Sequence, residues 1–524
     1  AEGHEDTRSY GGNAKLNNVI LDDGAGMDIG YANGQPISGQ MMRGPSTGGA
    51  SYDEIGLPST IEDALGNEIE VEYDGRGNVV RRTDPLGNVE TMEYDARNRL
   101  VRKVDNNGNV TRTRYDGNGN VVATTNALGH TTQLVYDNND RLVEAIDPLG
   151  NINTRTYDAV GRLITETDAE GNTVTRRYDK AGNLVSFIDA DGVVASTVAY
   201  DELDLAIATT DALGNVAQTR YDKVQRPTEF VDPLGRSTQL TYDKIGRLAR
   251  VDDPSGRFTS QRFFGDDVVA GMTNGAGAET TFSYDDQNRI RQFTPPTGSV
   301  ARITWDFDDR GLPIEEQLPG GAEKQFEYDD AGRLTEIRYS GDGSRPTKQF
   351  AYDPNGNLTT VRSGGSVQLR RTFDALNRVT SFRDAHGETI RYAFDANGNL
   401  QQLTYPDGKR VEYAYDDANR LIATVDWAQR RTTFAYNSNS QLTDIGFPNG
   451  TTRRMEYDAA GRLVRRRDFT SGGMPIVDYR YTYNPLGMLT EEYNGTPSRP
   501  AYQPAAMSFT YRNDGRFQSI NGSP

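Results

Sequence analysis

The sequence predicts an all-β protein: a continuous antiparallel β-hairpin ribbon coiled into a spiral, hollow shell or tube wall. Three observations predict it. Tyr-Asp pairs begin at Tyr52, Tyr73, Tyr94, Tyr115, Tyr136, Tyr157, Tyr178, Tyr200, Tyr221 and Tyr242, a step of 21 residues broken once by 22, and self-similarity at a fixed period marks a repeat architecture. Each repeat also holds two turn signals separated by short runs rich in Val, Thr, Leu and Tyr, such as Val89-Glu90-Thr91-Met92-Glu93-Tyr94, which read as strands. Finally, hydrophobic residues make up only 35 % of the 524 residues, while 55 glycines and 22 prolines are too many for long helices.

The repeat-defining positions are the Tyr-Asp pairs Tyr73-Asp74, Tyr94-Asp95, Tyr115-Asp116, Tyr136-Asp137, Tyr157-Asp158 and Tyr178-Asp179, with Gly161 and Gly182 closing two of the turns. In such a turn the Asp carboxylate accepts a hydrogen bond from a backbone N–H two residues on, and Gly, or Asn as at Asn98 and Asn419, takes up positive φ. The second turn signal is Asp-Pro-Leu-Gly, as in Asp84-Pro85-Leu86-Gly87-Asn88, where proline presets φ. About 22 such registers give on the order of 45 strands of roughly 20 Å each. At about 4.8 Å per strand the ribbon would run for about 200 Å and, closed on itself, form a cylinder about 60–70 Å across. One chain is then expected to make about one turn of wall, with open strand edges at both ends that need covering.

In chain order, residues 1–51 lack the repeat and are rich in Gly, Asn and Ser, predicting an irregular cap or plug. Residues 52–262 form the regular array. Residues 263–493 form a divergent array in which second turns change to Pro-Gly forms such as Leu318-Pro319-Gly320-Gly321, Tyr405-Pro406-Asp407-Gly408 and Phe447-Pro448-Asn449-Gly450. Residues 494–524 are a tail with one weak repeat at Tyr511. The start at Ala1-Glu2-Gly3, without an initiator Met, predicts a processed chain or a fragment.

Composition also excludes function classes. A formal charge of −18 repels phosphate backbones, so no nucleic-acid partner is expected. No apolar run is long enough for a membrane span. The absence of cysteine removes disulfides, thiolate metal sites and Cys nucleophiles. The three histidines, His4, His130 and His386, have no metal-ligand spacing and read as turn residues. Asp105-Asn106-Asn107-Gly108-Asn109 and Asp189-Ala190-Asp191-Gly192 resemble the opening of a calcium loop without its closing Glu, and read as Asx turns. No catalytic residue, cofactor or metal site is assigned, and paired acids for glycoside hydrolysis are absorbed by the repeat. The tyrosines are expected to stack on one another from hairpin to hairpin. The arginine clusters Arg81-Arg82, Arg430-Arg431 and Arg465-Arg466-Arg467 are expected to pair with carboxylates.

The unit Tyr157-Asp158-Ala159-Val160-Gly161-Arg162-Leu163, repeated at 21-residue spacing, resembles the YD-repeat family: bacterial Rhs proteins, the shell components of Tc toxins and the shells of teneurins. The likeness covers about residues 52 to 493, and Tyr405-Pro406-Asp407-Gly408 followed by Tyr415-Asp416 is similar to the Rhs form. The resemblance implies a non-enzymatic, secreted or cell-surface bacterial β-shell that encapsulates a polypeptide cargo, with that cargo or a second shell component as partner. The alternative is a structural protein whose copies self-assemble into a tube, filament or adhesive surface, with carbohydrate binding as a further option. Rhs cores end in an Asp-Pro-x-Gly-Leu signature tied to self-cleavage; here Asn484-Pro485-Leu486-Gly487 has Asn in place of that Asp, which argues against self-cleavage by this chain.

Overall fold

The computed structural model describes residues 48–495 except Asp266, Asp342 and Ser344, residues 505–512 and 516–522, and the backbone of four strands at Thr7–Gly11, Lys15–Ile20, Gly26–Ala32 and Gln35–Met42. Among these residues there are 48 strands and one 3-10 turn at Gly298–Ala301. The predicted all-β hairpin ribbon is what forms. The chain falls into two compact units, one of Ala1–Thr131, Phe263–Gly271 and Glu279–Arg391, the other of Thr132–Arg262, Met272–Ala278 and Tyr392–Pro524. Within each, strands adjacent in sequence pair antiparallel, as Val89–Tyr94 does with Leu100–Val104 and Ile152–Tyr157 with Leu163–Thr167. Where an irregular segment was expected at residues 1–51, the described backbone continues the same antiparallel pairing from Thr7–Gly11 through Gly49–Tyr52.

Turn chemistry sets this pattern. At Asp74, the backbone N–H donates to the Asn78 carbonyl (2.9 Å) and the Gly77 N–H donates to the Asp74 carbonyl (3.0 Å). Asp74 Oδ1 accepts from the N–H groups of Arg76 (2.9 Å) and Asn78 (3.0 Å), and Oδ2 accepts from Asn78 Nδ2 (2.9 Å). One carboxylate thus satisfies the loop's backbone donors, and Gly77 at φ 84° supplies the left-handed step of a three-residue hairpin loop. Asn98 takes the same step at φ 61°.

The two turns of a repeat differ in one respect that shapes the ribbon. After the Tyr-Asp turn the register skips a residue: Tyr73 faces Val79 but Glu72 faces Arg81, leaving Val80 as a β-bulge. The Asp84 turn keeps its register, with Thr83 facing Val89 and Arg81 facing Thr91. A bulge that recurs on one edge bends and twists the strands in one sense. The ribbon accordingly comes back alongside itself. In the first unit Asn355 donates from Nδ2 to Asp105 Oδ2 (2.8 Å), 250 residues away. In the second unit Asn439 reaches Asp189 Oδ2 (2.9 Å) across the same 250 residues. Within each unit, stretches about 250 residues apart in sequence therefore lie side by side.

Burial is shallow. Among the described residues only Val71, Ala123, Ala270 and Ala423 count as buried hydrophobics. Strand Arg410–Tyr415 alternates strictly between exposed and half-buried residues, the signature of a single sheet with two faces. Stability must then come largely from the edges, where the turns and their side chains interlock.

Candidate functional site

Two constructions organise those edges: a staple between successive Tyr-Asp turns, and a seam between successive passes of the ribbon. In the staple, Arg141 donates from Nε to Asp137 Oδ2 (2.7 Å) in its own turn and from Nη1 to the Asp158 carbonyl (3.1 Å) in the next. Its guanidinium carbon also lies 5.0 Å from the centroid of the Tyr157 ring. Arg162 does the same to Tyr178, and Arg99 to Tyr115. The planar, permanently charged guanidinium suits all three tasks at once. Tyrosine completes the link, because the Tyr157 hydroxyl donates to the Leu142 carbonyl (2.8 Å) of the hairpin before it. Tyr73, Tyr115 and Tyr178 do likewise to Pro58, Leu100 and Leu163. Burial raises the phenol pKa of Tyr73 and Tyr94, as expected of rings packed into this edge.

The expected tyrosine-on-tyrosine stacking is thus replaced. What covers the Tyr157 ring is the guanidinium of Arg141, because an arginine in the preceding turn neutralises an aspartate and shields a ring at the same time. Where the turn ends in Asn, as at Asn183, the amide binds Asp179 Oδ2 (3.1 Å) and reaches Asp204 Oδ1 (2.7 Å) in the next turn. The sequence carried this signal in the Arg or Asn that stands four residues after the Asp of most Tyr-Asp turns, as at Asn78, Arg99, Asn120, Arg141, Arg162 and Asn183.

In the seam, second turns of the first pass meet Tyr-Asp turns of the later one. Asn397 Nδ2 donates to Asp147 Oδ2 (2.5 Å) and Asn439 Nδ2 to Asp189 Oδ2 (2.9 Å) and Asp191 Oδ2 (2.7 Å). The Ala190 N–H donates to Asn439 Oδ1 (2.9 Å). Within the first unit Asn107 Nδ2 donates to Asp353 Oδ2 (3.2 Å) opposite the Asn355–Asp105 bond. These acceptors, Asp105, Asp147 and Asp189, are 42 residues apart, two repeats, as are Asn355, Asn397 and Asn439. The two segments that resembled calcium loops are therefore docking points for a neighbouring pass. Burial would raise the Asp105 pKa, yet hydrogen bonds from Asn109 and Asn355 hold it below the usual range.

One seam position is incomplete. Asn397 Oδ1 is buried without a hydrogen-bond partner. The residue aligned with Ala190 is Pro148, which has no N–H to give. Beside the complete position a cavity of about 520 Å³ opens between the passes, lined by Asp189, Asp191, Asn439, Glu456 and Tyr457 among others.

The remaining candidates fall into place as turn or strand residues. Asp95, Asp116, Asp137, Asp158 and Asp179 each close a Tyr-Asp turn, Gly161 and Gly182 sit at φ 92° and 106°, and Tyr136 faces Leu142 across the hairpin. His130 is half-buried in its turn with Nδ1 unpartnered, His386 is exposed beside Asp384, and His4 lies outside the described residues. The arginine clusters pair with acids: Arg81 with Glu72, Arg430 with Asp426, Arg465 with Asp478, Arg466 with Asp468 and Arg467 with Glu456. Among the described residues no group of three His, Cys, Asp or Glu is placed to hold a metal ion.

Residues 46–261 match the family model Teneurin YD-shell, and the RHS Repeat model matches five stretches between residues 307 and 473. The chain belongs to the YD-repeat family. The YD chain is similar to a chain of the Photorhabdus luminescens Tc holotoxin pore, at 12 % identity and a TM-score of 0.72, covering 98 % of this chain and 39 % of that one. It is also similar to the TcdB2-TccC3 crystal structure (12 % identity, TM-score 0.65, 99 % and 40 % coverage) and to TcdB2-TccC3-Cdc42 (11 %, 0.65, 99 % and 42 %). The YD chain thus spans about two fifths of the length of those proteins, and at such identity the likeness is one of fold, that of a Tc toxin shell. A comparison with curated protein sequences gives no match. No described helix is long and apolar enough to cross a membrane.

Proposed function

We propose that this YD chain is a non-enzymatic wall element of a secreted, Tc-like bacterial toxin shell, and that the wall encloses a polypeptide cargo before delivery. The observation that carries the reading is the seam. A ribbon whose turns bond to a neighbouring pass at Asp147–Asn397 and Asp189–Asn439 is built as continuous walling, and a protein with so little buried core has its structural investment in joints rather than in a pocket. Confinement needs only a sealed surface. The mechanism is steric: hairpin-to-hairpin staples keep neighbouring strands together, and the seam keeps adjacent passes from parting.

The test is protease protection. A protease-sensitive passenger fused to the chain is expected to survive digestion that destroys the free passenger, and the seam double variant Asn397→Ala with Asn439→Ala is expected to restore cleavage. Equal digestion of the fused and the free passenger would refute confinement.

A further inference from the structure

Asparagine amides make the principal bonds of the seam. Asn107, Asn355, Asn397 and Asn439 each donate from Nδ2 to an aspartate of the other pass. The first three of these are followed by glycine, as Asn107-Gly108, Asn355-Gly356 and Asn397-Gly398, whereas Asn439 is followed by Ser440. Asparagine is among the thermolabile residues, and glycine is the following residue that protects it least. With no side chain, glycine leaves its backbone nitrogen open to approach the amide carbon of the residue before it. The groups that close the seam are therefore also the groups most prone to lose their amide.

In the closed seam both parties to that attack are engaged. Asn355 Nδ2, the leaving group, donates to Asp105 Oδ2 (2.8 Å) and to Asn377 Oδ1 (3.0 Å), while the Gly356 N–H, the nucleophile, donates to the Asp353 carbonyl (3.0 Å). In the second unit Asn397 Nδ2 donates to Asp147 Oδ2 (2.5 Å) and Asn419 Oδ1 (2.9 Å), and the Gly398 N–H donates to the Asp395 carbonyl (3.2 Å). The bond to the aspartate holds each amide across the gap between passes. Asn397 Oδ1 is buried as well, so water has little access to this amide. Parting of the passes removes the aspartate bond and admits water, while the asparagine and its glycine stay as they are.

We propose that Asn355 and Asn397 are sites of spontaneous deamidation guarded by the closed seam, so that a seam once parted is kept by covalent change from closing again. The glycine nitrogen forms a bond to the asparagine Cγ, the Cγ–Nδ2 bond breaks, and the glycine proton leaves with the amide as ammonia. Water then opens the cyclic imide at either of its two C–N bonds, giving aspartate or isoaspartate. The net exchange is one water in and one ammonia out. At position 397 the product sets a carboxylate against the Asp147 carboxylate and the Asn419 amide oxygen, which the lost amide had bridged. Like charges placed directly opposite repel, and no donor is left between them. Ser440 shields its own nitrogen, so the Asn439–Asp189 joint outlasts the other two. The inference concerns the joint itself and holds whatever the wall encloses.

Peptide mass spectrometry of the whole chain, incubated in mildly alkaline water enriched in heavy oxygen, tests it, because the label enters only where an amide is lost during incubation. Asn355 and Asn397 are expected to convert at least about tenfold more slowly in the folded chain than in the same chain in urea. Asp147→Asn removes the acceptor and is expected to speed conversion of Asn397 about fivefold while leaving Asn355 unchanged. Asn126 opens an equivalent turn, accepting from the Leu128 and His130 N–H groups, so this substitution keeps the turn, and Pro148 gives the new asparagine no N–H to react with. Asn397→Asp, which is the product itself, is expected to raise amide exchange at Leu149 and Asn151, whose N–H groups donate to Asp147 Oδ1, about fivefold. Combining it with Asp147→Asn exchanges donor and carboxylate across the joint and is expected to return exchange to the wild-type rate, which also shows that the chain carrying Asn397→Asp folds. Equal conversion of Asn397 in the folded and the urea-treated chain overturns the proposal. So does conversion indifferent to Asp147→Asn, wild-type exchange in Asn397→Asp, or no recovery in the combined variant.

Discussion

The guanidinium of Arg162 lies 4.8 Å from the centroid of the Tyr178 ring, while the Tyr178 hydroxyl donates 3.0 Å back to the carbonyl of Leu163, the residue next to that arginine. The pair closes a loop between two hairpins: one residue reaches forward, the other back. Because this closure recurs along the array, at Arg99–Tyr115, Arg141–Tyr157 and Arg226–Tyr242 among others, hairpins are fixed to their neighbours by side chains as well as by strand pairing, and stability is distributed along the array.

Removing the hydroxyl alone, in Tyr178→Phe, leaves the Leu163 carbonyl without its donor and is expected to cost about 1 kcal/mol. Hydrogen exchange across Leu163–Thr167 should accelerate by about fivefold. Arg162→Asn is expected to retain most of the order at this edge, because Asn183 spans successive turns in the same position, whereas Arg162→Lys loses the fork and ring contact. Equal exchange in the Asn and Lys variants would refute the staple.

The left-handed turn positions sort by backbone. Gly161 at φ 92° has open space around it apart from the end of the Arg141 side chain, so Gly161→Val is expected to destabilise its hairpin by about 1–2 kcal/mol through φ strain and not through a clash. Asn98→Gly, at φ 61°, keeps the left-handed step but gives up the hydrogen bond that Asn98 Oδ1 accepts from Asn78 Nδ2 (2.9 Å), and is expected to cost about 1 kcal/mol. Exchange rates at the two turns, measured in the same experiment, check both.

At the seam, Asn439→Ala is expected to be more damaging than Asn397→Ala. Asn439 bonds Asp189, Asp191 and the Ala190 N–H, whereas the Asn397 carbonyl oxygen has no partner. Pro148→Ala restores an N–H at the incomplete position while giving up the preset turn φ, two effects each of order 1 kcal/mol. Thermal unfolding of the three variants ranks them; the prediction fails if Asn397→Ala is the costlier of the asparagine changes.

Acid sensitivity follows from the aspartates. Burial would raise the Asp468 pKa, but hydrogen bonds from Arg453 and Arg466 outweigh it and bring it to about 2. The hydrogen bond from the Arg99 side chain, with that residue's backbone N–H, lowers Asp95 to about 2 as well. A folded pKa below the unfolded value, about 3.9, means stabilisation that is fully present above pH 4 and is lost as pH falls toward 2. Circular dichroism should show unfolding free energy declining across that window, and Asp468→Asn should shallow the decline. A flat profile between pH 4 and 2 would contradict the assignment.

Much of this molecule was legible in its residues. Asp74, Gly77 and Asn78 specify their turn by local hydrogen bonds and a single φ, so the hairpins and their period follow from neighbours in sequence. The Arg141–Tyr157 staple was half legible, since both residues recur with the period, but which ring faces which group depends on how far a guanidinium reaches between strands. Residues such as Asn439 looked like ordinary turn positions, because their partners lie about 250 residues away.

The sequence by itself determined the ribbon: its strands, its two unlike turns, and the paucity of core that Gly, Pro and Asp at every turn entail. The tertiary structure decided how tightly that ribbon curls, and hence which turns meet. Curl is a sum of small bends at bulges such as Val80, and no single repeat reveals it. Only once the ribbon returns on itself do Asp105 and Asp189 change from self-contained Asx turns into acceptors for another pass, because a hydrogen bond across 250 residues is set by accumulated geometry, not by local sequence.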